Sequence, residues 1–211
     1  MIPSDHNISG AELTTIFNDA LDRSAFIWDY RGFRADGNDE FYIAFIDEHI
    51  NSDSSGAFED AVELSIAMDY FKLPHLHIIE KGLSSKLDED AKLLCLDWLY
   101  SFFEQVPKPD FERLNKYVLQ NNKSELINVQ ALLNLLLMKN DEQLITSLKT
   151  IMGKAALPAV FYRLINVLDD ECFDEIKALV LPDIKLIIEK SGALTVQQKD
   201  ELTARLQAGG I

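Results

Sequence analysis

Apolar residues recur at intervals of three and four along nearly the whole sequence, and this spacing leaves little choice of fold. The segment from Ala57 to Phe71 shows the pattern most clearly. Together with its two end residues, Ala61, Leu64 and Met68 form one apolar stripe with steps of four, three, four and three. Such a stripe is typical of an α-helix with one buried side. We therefore predict an all-α chain with about ten to twelve helices.

Capping residues and helix breakers indicate where the helices begin and end. Ser9 followed by Glu12 is a capping box, and we expect its helix to reach about Leu21. Thr195 with Gln198 predicts a second capping box near the end of the chain. Both signals are local, so they do not depend on which helices pack together.

Other boundaries rest on glycine and proline. We expect one helix to end near Gly82 and another at Gly153, because glycine commonly follows the last turn of a helix. Pro182 predicts a break after a helix over residues 171–180 and the start of a new one. Residues 24–33 fit either a short strand or an irregular aromatic segment, and the structure of residues 24–36 stays open.

The predicted helices are regularly spaced. First helices of successive pairs begin at intervals of roughly 33 residues, which is the length of one helical hairpin in stacked repeat proteins. This spacing favours antiparallel hairpins stacked in an α-solenoid-like, HEAT-like arrangement, and an irregular helical bundle is the alternative. A length of 211 residues fits one all-helical domain over residues 1–211.

Charge is distributed unevenly along the chain. The net charge is −15, from 35 acidic and 20 basic residues. Residues 1–105 contain 21 acidic and 7 basic residues, whereas residues 106–211 contain 14 and 13. Within residues 35–71 there are ten acidic residues and no Lys or Arg. An acidic N-terminal half and a near-neutral C-terminal half argue against direct nucleic-acid binding and favour a basic protein partner.

We predict that this acidic stretch forms a binding surface. Carboxylates without Lys partners four residues away differ from those of an ordinary solvated helix, and an aromatic side chain among them suits an interface. The residues that we expect to contact the partner are Asp39, Glu40, Asp47, Glu48, Glu59, Asp60, Glu63 and Tyr70.

Signatures of catalysis and of metal binding are missing from the sequence. It contains no GxSxG, Walker or HExxH motif. A calcium loop that starts at Asp36 is rejected, because its sixth position is Phe41 where glycine is required. We expect the histidines to be ordinary surface or helix-end residues, and we expect no enzyme activity, no metal and no cofactor. The four histidines are His6, His49, His75 and His77.

The cysteines and the apolar segments bear on localisation. Cys95 and Cys172 lie in apolar helical patterns, which predicts buried free thiols in a reducing compartment. The N-terminus has neither a basic nor an apolar signal-peptide region. The apolar run from Val129 to Met138 is too short to span a bilayer. We therefore expect a cytoplasmic protein that does not enter a membrane.

The acidic stretch from Asp36 to Asp69, joined to helical hairpins from Gly56 to Lys190, resembles bacterial immunity proteins. Several families of these cytosolic toxin inhibitors are small, acidic and built of HEAT-like helix pairs. Their toxins are often basic nucleases. The resemblance implies a non-catalytic inhibitor that binds and neutralises a basic toxin domain, with a nuclease as one such target. It assigns no role to any numbered residue.

Two other functions remain open at this stage. An acidic nucleic-acid mimic blocks a DNA-binding enzyme, and it should space its carboxylates along an elongated surface as phosphates are spaced. A helical scaffold that binds a peptide should have an apolar concave stripe, and its binding should depend little on salt. The near-neutral second half of the chain favours one concentrated acidic patch over the mimic.

Overall fold

A computed structural model describes residues 9–30, 38–52, 54–84 and 88–208. These residues form twelve α-helices and one short 3-10 turn, and they include no β-strand, so the prediction of an all-α chain is confirmed. Two compact units can be separated, Met1–Lys108 and Pro109–Ile211. A single domain over residues 1–211 stays a prediction.

The described residues of the first unit form six helices. They are α1 (Gly10–Asn18), α2 (Ala20–Tyr30), α3 (Asp39–His49), α4 (Ser55–Ala67), α5 (Leu73–Ser84) and α6 (Glu89–Ser101). α4 packs against both α2 and α6, while α1, α3 and α5 pack against α2, α4 and α6 respectively. Trp98 is fully buried, and its indole nitrogen donates to Ser65 Oγ at 3.1 Å, which links α6 to α4. This pattern of helix contacts is consistent with helical pairs that stack one after another.

The second unit contains the other six helices and the 3-10 turn. They are α7 (Lys108–Asn121), α8 (Glu125–Met138), α9 (Glu142–Lys154), α10 (Pro158–Leu168), the turn Glu171–Phe173, α11 (Asp174–Lys190) and α12 (Val196–Ala208). α8, α10 and α12 form one row, and α9 packs on α11. Helices that alternate in this way are consistent with stacked hairpins.

Buried amides connect three helices of the second unit. Asn134 Nδ2 donates to Asn115 Oδ1 at 3.1 Å, and Gln130 Nε2 donates to Asn134 Oδ1 at 2.9 Å. Arg163 Nε donates to Gln130 Oε1 at 2.7 Å. The three amide side chains are fully buried, so each hydrogen bond offsets a desolvation cost and fixes how α7, α8 and α10 align.

The capping boxes are confirmed, but the first helix is shorter than predicted. Ser9 and Glu12 bond reciprocally, and so do Thr195 and Gln198. The first helix ends at Asn18, because the side chain of Asp19 accepts from the next amides and begins α2. α2 is helical up to Tyr30, so the described part of residues 24–36 is helix, and residues 31–37 lie outside the described residues.

Two helix ends predicted from glycine are met within two residues, whereas the predicted break at Pro182 is wrong. α5 ends at Ser84, close to Gly82, and α9 ends at Lys154, one residue beyond Gly153. Pro182 lies inside α11, which continues to Lys190. Pro182 and Ala178 are both exposed, so water can hydrate the carbonyl that loses its amide donor. None of the described helices is long and apolar enough to cross a membrane.

Candidate partner-binding surface

The solvent side of α3 carries four of the predicted residues. Asp39, Glu40, Asp47 and Glu48 are all exposed. The opposite side of α3 is buried and consists of Tyr42, Phe45 and Ile46. Asp39, Glu40 and Glu48 have no cationic partner in the part of the chain that the structure describes. Among the described residues, three exposed carboxylates of α3 thus lack a cationic partner, with Asp39 and Glu40 in the first turn and Glu48 near the other end.

The acidic residues of α4 are not equivalent to one another. Glu59 and Glu63 are half-buried and make further interactions, and the charge of Glu59 helps to raise the pKa of Cys95. Asp60 is only 4 % exposed, so its prediction as a partner contact is wrong. Glu59 is half-buried, but the next position of a helix is turned by about 100°, and Asp60 at that position bonds Arg23 of α2.

Two predicted residues meet in one cluster with two residues that the sequence did not single out. We call Asp47, Tyr70, Lys72 and His75 the Asp47 cluster. Lys72 Nζ lies 2.6 Å from Asp47 Oδ2, and His75 Nε2 lies 3.4 Å from Asp47 Oδ1. Tyr70 Oη donates to the same carboxylate at 3.4 Å. One carboxylate thus contacts a phenol, an ammonium group and an imidazole.

The end of α4 brings Tyr70 to this cluster. Asp69 has a left-handed backbone with φ of 55°, and the Tyr70 amide donates to the Ser65 carbonyl at 2.8 Å. The Asp69 amide donates to the Ile66 carbonyl at 3.1 Å. These two bonds form a Schellman motif, which ends the helix and reverses the chain. The predicted helix to Phe71 therefore ends at Ala67 instead.

His75 is buried, so the prediction of a surface histidine is wrong for it, whereas its predicted place near a helix end is correct. Its side chain is 5 % exposed, and its ring lies 6.0 Å from that of Tyr70. Within the described residues its Nδ1 has no hydrogen-bond partner. Since α5 begins at Leu73, His75 lies in its first turn, where the ring contacts Asp47 and Tyr70.

The pKa values within the cluster reflect burial and the neighbouring charges. Burial lowers the pKa of His75, and the nearby Asp47 carboxylate offsets only part of that effect. Burial opposes ionisation of Asp47, but the hydrogen bond and charge of Lys72 outweigh it, so the pKa of Asp47 is lowered. The Asp47 hydrogen bond raises the pKa of Lys72. At neutral pH the cluster therefore contains a carboxylate, an ammonium group and a neutral imidazole.

Sequence reasoning missed Lys72 and His75 as members of this surface. Lys72 is the first basic residue after the acidic stretch, and it returns to neutralise Asp47, which was expected to be uncompensated. Its position two residues after Tyr70 was the only feature of the sequence that could have indicated its place in the cluster.

The two cysteines are free, but only Cys95 is buried, so the prediction that Cys172 is buried is wrong.

Comparison of the chain with family models, curated proteins and solved structures finds no match.

Proposed function

We propose that this protein is a non-catalytic inhibitor that binds a basic protein through the acidic surface of its first unit. The observation that carries the proposal is the set of exposed carboxylates on α3, Asp39, Glu40 and Glu48, which have no cationic partner among the described residues. Exposed acids in a stretch with few bases give this surface a negative potential, which a cationic partner would neutralise. Complementary charge also accelerates the capture of a partner.

A basic toxin domain is the partner class that we favour. A nuclease needs cationic groups where it holds phosphate, and a surface of carboxylates competes for those groups. Rapid capture matters for such a target, because the damage begins as soon as the toxin is active. We further propose a bacterial immunity protein that works in the cytoplasm, and the two free cysteines agree with a reducing compartment.

The test compares two triple charge reversals in the full chain. The first changes Asp39, Glu40 and Glu48 to Lys. The matched control changes Asp174, Glu175 and Glu189 to Lys. In both sets an adjacent pair of acids lies in the first turn of a helix, and a glutamate occupies its penultimate position, in α3 and in α11 respectively. The two variants therefore change the net charge and the helix ends equally.

Association is measured with a panel of purified basic nuclease toxin domains, starting with any that is encoded beside the gene. We expect the α3 variant to associate at least about tenfold more slowly at low salt, and the α11 variant to stay within about twofold of the unchanged protein. A bound nuclease should also lose its activity at a one-to-one ratio. Equal effects of the two variants, or no binding to any domain of the panel, would overturn the proposal.

A further inference from the structure

Lys72 lies where a cation from another protein could also lie. Its Nζ is 2.6 Å from Asp47 Oδ2 and 5.0 Å from the centre of the Tyr70 ring. A carboxylate and an aromatic face that converge on one ammonium group are the elements of a cation-binding subsite. In the free protein a residue of the same chain occupies that position.

The groups around this position are held in place by the fold. The Schellman motif at Asp69 fixes Tyr70, and α3 fixes Asp47. His75, which is 95 % buried and has an unpartnered Nδ1, directs its Nε2 at the other oxygen of the Asp47 carboxylate. A side chain that is itself buried can orient Asp47 without moving when the cation is exchanged.

The lysine itself is held weakly. The side chains of Lys72 and Asp47 are 42 % and 38 % exposed, so solvent reaches both partners of the pair. Exposed ion pairs contribute little net free energy, because solvent competes for both charges. Release of Lys72 therefore costs little, whereas Arg23, which is 12 % exposed and bonded to Asp60, cannot leave as easily.

We propose that Asp47 and the ring of Tyr70 form a subsite for one arginine or lysine side chain of the basic partner, and that Lys72 fills this subsite until the partner displaces it. The inference rests on the proposed function and specifies one contact within it. Arginine suits the subsite better than lysine, because its planar group can bond the carboxylate with two N–H groups while it stacks on the ring. Lys72 would then act as an internal competitor of the partner.

The experiment removes the competitor and supplies a small probe. Lys72→Met removes the ammonium group and retains an unbranched apolar side chain. Lys81→Met is the matched control, because Lys81 is an exposed lysine of the same unit that makes no ion pair with Asp47. N-acetyl-arginine amide is titrated into each full-length variant, and the NMR signals of the Tyr70 and His75 rings are followed.

We expect the probe to shift both ring signals saturably and to bind Lys72→Met up to about fivefold more tightly than the unchanged protein or Lys81→Met. Adding Asp47→Asn to Lys72→Met should abolish the shifts. Unsaturable shifts in Lys72→Met, or shifts that persist in the Asp47→Asn, Lys72→Met double variant, would overturn the subsite. Because the probe needs no partner protein, the subsite can survive a failed charge-reversal test, and the proposed function can survive the loss of the subsite.

Discussion

Arg23 Nε donates to the Asp60 carboxylate across 2.5 Å, and this ion pair joins α2 to α4 inside the first unit. The side chains of Arg23 and Asp60 are only 12 % and 6 % exposed. Ser24 Oγ donates to the second Asp60 oxygen at 2.7 Å, and Arg23 Nη1 donates to the Phe17 carbonyl at 3.0 Å. Asp60 therefore contributes to the packing of the fold, whereas the exposed acids of α3 are available to a partner.

Removal of the Asp60 carboxylate should destabilise the protein strongly. Asp60→Ala leaves the Arg23 guanidinium nearly buried without its counter-charge, and breaking such a pair costs about 3–5 kcal/mol. We expect the free energy of unfolding, measured by urea denaturation, to fall by that amount. Glu48→Ala, which removes an exposed carboxylate of the same unit, should change it by less than about 0.5 kcal/mol.

A double-mutant cycle tests whether the effect belongs to the pair. Arg23→Ala combined with Asp60→Ala should cost clearly less than the sum of the two single substitutions, because no charge is then left buried alone. Additive losses would show that Asp60 stabilises the first unit through something other than Arg23.

Asp60 and Asp47 show why the distribution of charge could be predicted only in part. Asp60 is buried against Arg23, and Asp47 is paired with Lys72. The acids of α3 that were chosen for their charge, Asp39, Glu40, Asp47 and Glu48, are exposed, because a helix with one buried side leaves its other side to solvent. The compensation of Asp60 by Arg23 depends on residues 37 positions apart, and only the packing of α2 on α4 brings them together. A stretch without internal bases is therefore not a stretch without counter-charges.

Helix ends were likewise predictable only where local sequence determines them. The capping box at Ser9 was predictable, since its donors and acceptors lie within four residues. Pro182 was expected to break α11, but the helix continues through it. The carbonyl that lacks its amide donor faces solvent, and the other side of α11 is packed. The burial of His75 could not be predicted either, because sequence alone does not show which side of α5 other helices cover.

Asp69 should be replaceable by glycine with a gain in stability. Its left-handed φ of 55° is strained for a residue with a side chain and costs glycine nothing. We expect Asp69→Gly to raise the free energy of unfolding by about 0.5 kcal/mol and Asp69→Val to lower it by about 1–2 kcal/mol.

Asp22→Gly is the control for the lost charge. Asp22 is an exposed acid in the first turn of α2, so glycine there should destabilise by about 0.5 kcal/mol. Opposite signs for the two glycine variants in thermal or urea unfolding are the expected result. A loss of stability in Asp69→Gly would contradict the role of the left-handed turn.

His75 should make the protein less stable as the pH falls below neutral. Burial lowers the pKa of His75 in the folded state, so the unfolded chain takes up a proton near pH 6.5 that the folded chain does not. Above about pH 6.5, His75 should not change the free energy of unfolding. Below that pH it should lower the free energy of unfolding by at most about 1.4 kcal/mol per pH unit. Urea denaturation at several pH values between about 5 and 7.5 measures this slope.

Two comparisons assign the slope to His75. Asp47 also has a lowered pKa, but its stabilising effect is lost only as the pH falls below about 3.9, outside this range. His75→Gln should remove part of the slope, whereas His77→Gln, which changes an exposed histidine of the same helix, should leave it unchanged. The assignment would be wrong if the His75→Gln protein kept the full slope.

The two cysteines should differ sharply in reactivity, although both are free. Burial, together with the charge of Glu59, raises the pKa of Cys95 to about 12, and its side chain is fully buried, so almost no accessible thiolate exists at pH 8. Cys172 is exposed. With a chromogenic disulfide reagent we expect one fast equivalent in the native protein and a second only after unfolding in guanidinium chloride. Cys172→Ser should lose the fast equivalent, and a fast reaction that persisted in this variant would show that solvent reaches Cys95.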